Sequence, residues 1–277
     1  MKTPALSSLA VVSALAGSAL VPAYGSLLVE ESFNYTLDAN LGTQAATGTG
    51  LTGNWQRGFT DTASAILRTY EATWTAPTGY GYTASGKRIG TPGDQNNSAA
   101  VNLASAAQIN FDQNGVYYYS YLLKYTNGDD RSRVSFGGST AVDLMRVQGI
   151  ADGTLRAYAG ATFSAGAALG AGDFLVVGRI TTVATGDDEN RIWVYSSGDT
   201  LASTEETAGA AYTSALASVA GTASMLQFSN LINASYGEFR LGTTWDSVTV
   251  SSIPEPSTFA ALAGLGVMGL ALARRRR

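Results

Sequence analysis

The sequence predicts an all-β fold, a two-sheet antiparallel sandwich, and three observations predict it. Only 14% of the 277 residues are charged while 32 are Gly, and Gly, Ala, Ser and Thr fill the segments between apolar runs. That composition suits a turn-rich β protein outside the cytoplasm better than a cytosolic α/β enzyme. Short apolar or aromatic runs are closed by Gly, Asn or Asp, the punctuation of strands and tight turns. The body also has no long stretch with apolar residues at three- and four-residue spacing, so nothing in it reads as a long amphipathic helix. Ten or more short strands without intervening helices pack as two layers.

The elements follow in chain order. Met1 and Lys2 give a positive start, residues 9–21 run without a charge, and Ala23-Tyr24-Gly25 puts small residues where a signal peptidase reads. Residues 1–25 are therefore expected to be a signal peptide cut before Ser26, since the apolar run of about 13 residues falls short of the roughly 20 that span a bilayer. Residues 27–33 form the first strand and residues 65–70 a shorter one. Residues 116–125 (VYYYSYLLKY) carry the strongest strand signal, dense in aromatics and bounded by Asn114-Gly115 and Asn127-Gly128. Short strands are expected at 133–136, 142–148 and 155–158, then a longer one at 174–183 after Gly172-Asp173. Residues 190–195 alternate Ile192 and Val194 against Arg191, Trp193 and Tyr195. Residues 211–220 are expected to form one or two helical turns, and strands at 225–228, 237–241 and 245–250 close the body.

What is missing prunes the chemistry. The chain has no His and no Cys, which removes the Ser-His-Asp and Cys-His catalytic units, disulfides, and the usual zinc and iron–sulfur sites. Carboxylates, hydroxyls, Lys, Arg and oxygen-ligated metals such as Ca²⁺ remain, and no other cofactor is implied. The net charge of −4 comes from 17 basic and 21 acidic residues. Setting aside Lys2 and the four terminal arginines leaves 12 basic residues, and setting aside Glu255 leaves 20 acidic ones, so the body is near −8. An acidic body attracts neither nucleic acid nor an anionic membrane surface.

The C-terminus carries a second address. Ile253-Pro254-Glu255-Pro256-Ser257-Thr258 leads into an uncharged Ala/Gly/Leu run over residues 259–273, and Arg274, Arg275, Arg276 and Arg277 end the chain. Two prolines two apart cannot sit inside a helix, so they mark a hinge. As a transmembrane helix the run would reach about 22 Å, and the terminal arginines would hold its end on the cytoplasmic side. An ordinary single-pass tail anchor has the same outline. Pro254, Glu255 and Pro256, then a short apolar helix, then a terminal Arg cluster resembles the PEP-CTERM protein-sorting domain over about 25 residues. The resemblance implies export, transient membrane insertion and recognition by an exosortase. That enzyme would act near the motif and release the body or hand it to the cell surface or extracellular matrix, after signal peptidase has acted at the other end. The chain then divides into a signal peptide (1–25), a β-sandwich domain (26–252) and a sorting signal (253–277).

A second resemblance covers most of the body. Val29-Glu30-Glu31-Ser32-Phe33-Asn34-Tyr35 precedes a Gly-rich segment ending in Gly53-Asn54-Trp55. The tyrosine-rich strand, Leu175-Val176-Val177-Gly178-Arg179, Arg191-Ile192-Trp193-Val194-Tyr195 and Phe239-Arg240-Leu241-Gly242-Thr243-Thr244-Trp245 follow. This order is similar to the concanavalin A-like, laminin-G-like jelly rolls, and it implies a sandwich facing carbohydrate or matrix, with no activity guaranteed.

Candidate sites are few. Tyr117, Tyr119 and Tyr121 share one face of a strand, which reads either as a core face or as a platform on which sugar rings stack. Asp187, Asp188 and Glu189 lie in one turn, and Asp129-Asp130 and Asp94-Gln95-Asn96-Asn97 in others; such loops either bind Ca²⁺ or cap hairpins in solvent. Trp55, Trp74, Trp193 and Trp245 read as packing residues. A glycoside hydrolase, the alternative to a non-catalytic carbohydrate-binding protein, needs two carboxylates about 5–5.5 Å or roughly 6.5–9.5 Å apart. Residues two apart on a strand would serve, but Glu30-Glu31 and Glu205-Glu206 are adjacent and face opposite ways. The glycines match no phosphate- or dinucleotide-binding spacing.

Overall fold

The computed structural model describes residues 25–57, 67–82, 86–90, 97–125, 132–138, 142–149, 155–159, 166–216, 219–230 and 234–250. All but Gly25 of the predicted signal peptide (1–25) and the whole predicted sorting signal (253–277) lie outside them, as do Asp129, Asp130 and residues 94–96. The strands are β1 (Leu27–Glu31), β2 (Leu51–Gln56), β3 (Arg68–Glu71), β4 (Lys87–Gly90), β5 (Asn97–Leu103), β6 (Ile109–Asn110), β7 (Gly115–Tyr125) and β8 (Ser132–Gly138). They continue with β9 (Val142–Gly149), β10 (Leu155–Ala159), β11 (Gly166–Leu169), β12 (Gly172–Thr182), β13 (Asp188–Ser196), β14 (Tyr212–Leu216), β15 (Thr222–Asn230) and β16 (Ala234–Gly242), and helix α1 (Trp245–Thr249) follows.

Two antiparallel sheets of eight strands result. The first runs β14-β13-β12-β7-β16, and the far edge of β16 is shared between β4, backed by β3, and β1. The second runs β11-β10-β9-β8-β15, with the far edge of β15 shared between β5, backed by β2, and β6. Among the described residues no helix is long and apolar enough to cross a membrane.

The main core lies between the sheets. Tyr119, Tyr121, Leu123 and Tyr125 of β7 point inward, as the two-residue period of a strand requires. They join Val176 and Ile180 of β12, Phe239 and Leu241 of β16, and Val134, Phe136, Leu226 and Phe228 of the second sheet. Aromatic edges and faces close the gap, with Phe136 and Phe228 edge-on to Phe239 at 6.3 and 5.8 Å. Hydroxyls caught in it find partners: Tyr119 Oη donates to Leu144 O at 3.1 Å and Tyr236 Oη to Ser229 O at 2.7 Å.

The first sheet is also covered on its outer face. Leu122, Leu175, Val177, Trp193 and Tyr195 project there and meet Leu201, Trp245 and Val248 in a second apolar cluster. Burial on both faces explains why Phe174, Leu175, Val176 and Val177 run continuously apolar rather than alternating. At the N-terminal end, Glu31 is wholly buried and accepts from Phe33 N and Tyr35 Oη, both at 2.6 Å, while Tyr35 Oη takes Trp55 Nε1–H at 2.8 Å. On the outer side of β16 a bulge between Gly237 and Phe239 leaves Glu238 at φ 41°. Arg240, 3% exposed, donates from Nη1 to Glu238 at 2.8 Å and Tyr80 at 2.7 Å, and from Nη2 to Glu30 at 3.1 Å.

Two expectations are corrected. Residues 245–250 read as a strand, but Trp245–Thr249 is helical because Thr244 caps it, its side chain accepting from Ser247 N while the Ser247 hydroxyl accepts from Thr244 N. Trp245 and Val248, three apart, then share the buried side. Residues 211–220 read as helical turns, but Tyr212–Leu216 is an edge strand paired to Asp188–Ile192 of β13. Ala215 and Ser214 weaken a strand signal that pairing and the burial of Ser214 and Leu216 supply instead. The strands β2, β4, β5, β6 and β11 are further additions; β5 (NSAAVNL) is rich in Ala and Asn, which carry little strand signal by themselves.

Candidate functional site

The tyrosine row sits in the core. Tyr119 and Tyr121 are 0% exposed and stack at 6.4 Å, and Tyr117 is partly buried against the same cluster. Burial drives the Tyr119 and Tyr121 hydroxyls far above their ordinary pKa. In this fold the row gives a sugar ring no open face. The acidic turn disperses as well. Asp188 points inward, and its Oδ1 accepts Val183 N–H at 2.8 Å while its Oδ2 is buried without a hydrogen-bond partner. Burial raises its pKa, and Asp187 and Asp112 add to the rise. Glu189 faces the other way and pairs with arginines. Among the described residues no three Asp or Glu side chains stand where they could hold a metal ion.

A different set of residues forms a cleft on the outer face of the first sheet. Arg179 of β12 and Arg191 of β13 are direct cross-strand partners, a like-charge juxtaposition that destabilises a sheet unless answered. Glu189, two residues before Arg191 and so on the same face, answers it: Oε1 accepts Arg191 Nε–H at 2.6 Å and Arg179 Nη2–H at 3.2 Å. Arg179 Nη1 also donates to Glu205, which accepts Tyr118 Oη–H at 2.5 Å on its other oxygen. A short turn over Glu205–Thr207, capped by Thr204, brings Glu205 and Glu206 to this place.

The walls are aromatic and polar. Arg179, Arg191, Trp193, Glu205, Glu206 and Thr213 line a cleft of about 590 Å³. Beyond Glu205 and Glu206 a second hollow of about 290 Å³ continues along Tyr118, Thr243, Trp245 and Asp246. Trp193 and Trp245 meet edge to face at 5.3 Å beneath both, and their indole N–H groups donate to Gly209 O and Ala202 O. Electrostatics keep the network charged. Burial opposes the Glu189 charge, but hydrogen bonds and attraction from Arg191 and Arg179 outweigh it and hold its pKa below the ordinary value. The Glu189 hydrogen bond likewise raises Arg191. Tyr118 is pushed up to about 12, first by burial and then by the hydrogen bond and charge of Glu205, with Arg179 acting against them. Such a surface offers carboxylate oxygens to accept hydroxyl hydrogen bonds and apolar edges to pack on.

Sequence reasoning weighed Glu205 and Glu206 only as a catalytic pair and set them aside, and it assigned Trp193 and Trp245 to packing. It passed over Arg179 and Arg191. The available signal was a pair of arginines on adjacent strands with Glu189 at the right parity to bridge them.

No curated protein matches the chain by sequence. Solved structures resemble it distantly. An endo-β-1,4-glucuronan lyase from the fungus Trichoderma reesei has TM-score 0.37 and 11% identity, over 70% of this chain and 96% of that one. A carbohydrate esterase from Shiga toxin-encoding bacteriophage phi24B has TM-score 0.41 and 8% identity, over 79% and 99%. The binding domain of botulinum neurotoxin serotype D has TM-score 0.38 and 10% identity, and the match covers 79% of this chain and 48% of that one. At such distances they carry no argument about activity. The family model that matches is specific to one segment: residues 252–277 fit the PEP-CTERM protein-sorting motif, so the chain ends in a sorting signal that points to export and to the cell surface or extracellular space.

Proposed function

We propose that this is an exported protein, processed by signal peptidase before Ser26 and by an exosortase near Pro254-Glu255-Pro256. Its concanavalin A-like sandwich acts at the cell surface or in the extracellular matrix as a carbohydrate-binding module without catalysis of its own. The match of residues 252–277 to the sorting motif carries this reading. For the body, support comes from the outer cleft, where Trp193, Trp245 and Tyr118 border carboxylates suited to sugar hydroxyls. Glu205, which lines the cleft, and Glu189, which bridges its two arginines, are both bound to Arg179, which ties them to structure rather than to proton transfer.

Fractionation of producing cells with and without their exosortase tests the sorting half. Accumulation of a longer, membrane-bound form without the enzyme is expected, and identical forms in both strains would contradict it. A reducing-sugar assay beside a glycan-binding screen tests the other half. Binding without turnover is expected, and turnover abolished by one carboxylate substitution would establish a glycoside hydrolase instead.

A further inference from the structure

The charge arrangement of the outer cleft points to a ligand class, and the inference rests on the carbohydrate-binding reading. Arg179 and Arg191 are the cationic side chains lining it, and both are already paired with glutamates, although Arg191 keeps 38% of its side chain exposed. Arg179 is divided between Glu189 and Glu205, and its side chain is 19% exposed; Arg191 is held on both Glu189 oxygens. Glu206 and Asp246 are the exposed charges left on the rim. The Glu206 carboxylate is held below its ordinary pKa by its own backbone N–H and the Thr204 hydroxyl, so it stays ionised. Two arginines thus face four carboxylates, Glu189, Glu205, Glu206 and Asp246.

An incoming uronate or sulfate would have to break an Arg–Glu pair to reach Arg179, and at the more exposed Arg191 it would meet a charge that Glu189 already balances. It would also approach two like charges at the rim. A hydroxyl meets no such barrier: it donates to a carboxylate that already points outward, while the ring's apolar edge packs against the half-buried Tyr118. We propose that the cleft selects uncharged glycan chains and excludes polyanionic ones.

Matched polymers that share a backbone isolate charge: hydroxyethyl cellulose against carboxymethyl cellulose, and dextran against dextran sulfate, titrated into the purified exported protein. The expected result is binding to a neutral member, with affinity at least about tenfold weaker for its anionic counterpart. Replacing the two exposed carboxylates together, Glu206→Gln with Asp246→Asn, should narrow the discrimination about three- to tenfold while leaving the melting temperature in place. An anionic member binding as tightly as its neutral counterpart, or more tightly, would overturn the charge selection and leave carbohydrate binding standing. Failure of every polymer in both series to bind would remove the carbohydrate reading, and this inference with it.

Discussion

At Gly178 an added Cβ would lie 2.0 Å from Cζ of Tyr119, its cross-strand partner, whose ring covers the position a side chain would take. That ring cannot retreat, because its hydroxyl is held by Leu144 O and Asn190 Oδ1, both at 3.1 Å. Gly178→Ala is therefore expected to destabilise the fold by about 1–3 kcal/mol through overpacking, read from urea denaturation. Glu31 makes a second prediction. Burial raises its pKa, and hydrogen bonds from Tyr35, Phe33, Gly48 and Ser32 offset the rise only in part. A carboxyl that binds its proton more tightly when folded loses stability as pH climbs from the ordinary glutamate value through the folded one. Melting curves of the native chain should fall across that window above pH 4.5. Glu31→Gln should flatten the slope, and an unchanged slope would exclude Glu31 as its source.

Helix α1 shows how an element can hide in a sequence. Its residues, WDSVT, alternate in a way that suits a strand, and the outcome is decided instead by the Thr244 cap and by the need to cover Leu122, Leu175 and Val177. Thr244→Ala should cost about 1 kcal/mol and loosen Trp245, visible as a red shift in tryptophan emission. The β12–β13 pair makes a parallel case. Glu189→Ala leaves Arg179 and Arg191 facing each other, so destabilisation of about 1 kcal/mol at low salt is expected, shrinking as salt screens the repulsion. Long strands were legible because β7 and β12 are buried on both faces and their apolar content is dense. Strand β5 and the edge strand β14 were not, since Ala, Ser and Asn report nothing until a neighbour supplies pairing. The cleft escaped for a related reason: Glu205 reaches Arg179 and Tyr118 from 26 and 87 residues away, a separation no local pattern encodes.

Across the whole molecule, the first described strand and the end of β16 meet at one edge of the first sheet. Ser26 N donates to Thr243 Oγ1 at 2.9 Å and Thr243 N to Ser26 O at 3.0 Å. Helix α1 follows at once and brings the chain to Val250, next to the matched sorting segment. Among the described residues, hydrogen bonding is thus seen from Ser26, where the leader is expected to be cut, and the last of them, Val250, stands two residues before the matched segment. The measurement that bears most directly on this account is the intact mass of the protein recovered from the outside of producing cells. A species starting at Ser26 and lacking Arg277 is the predicted result; a surface or secreted form that still carries Arg274 to Arg277 would contradict it.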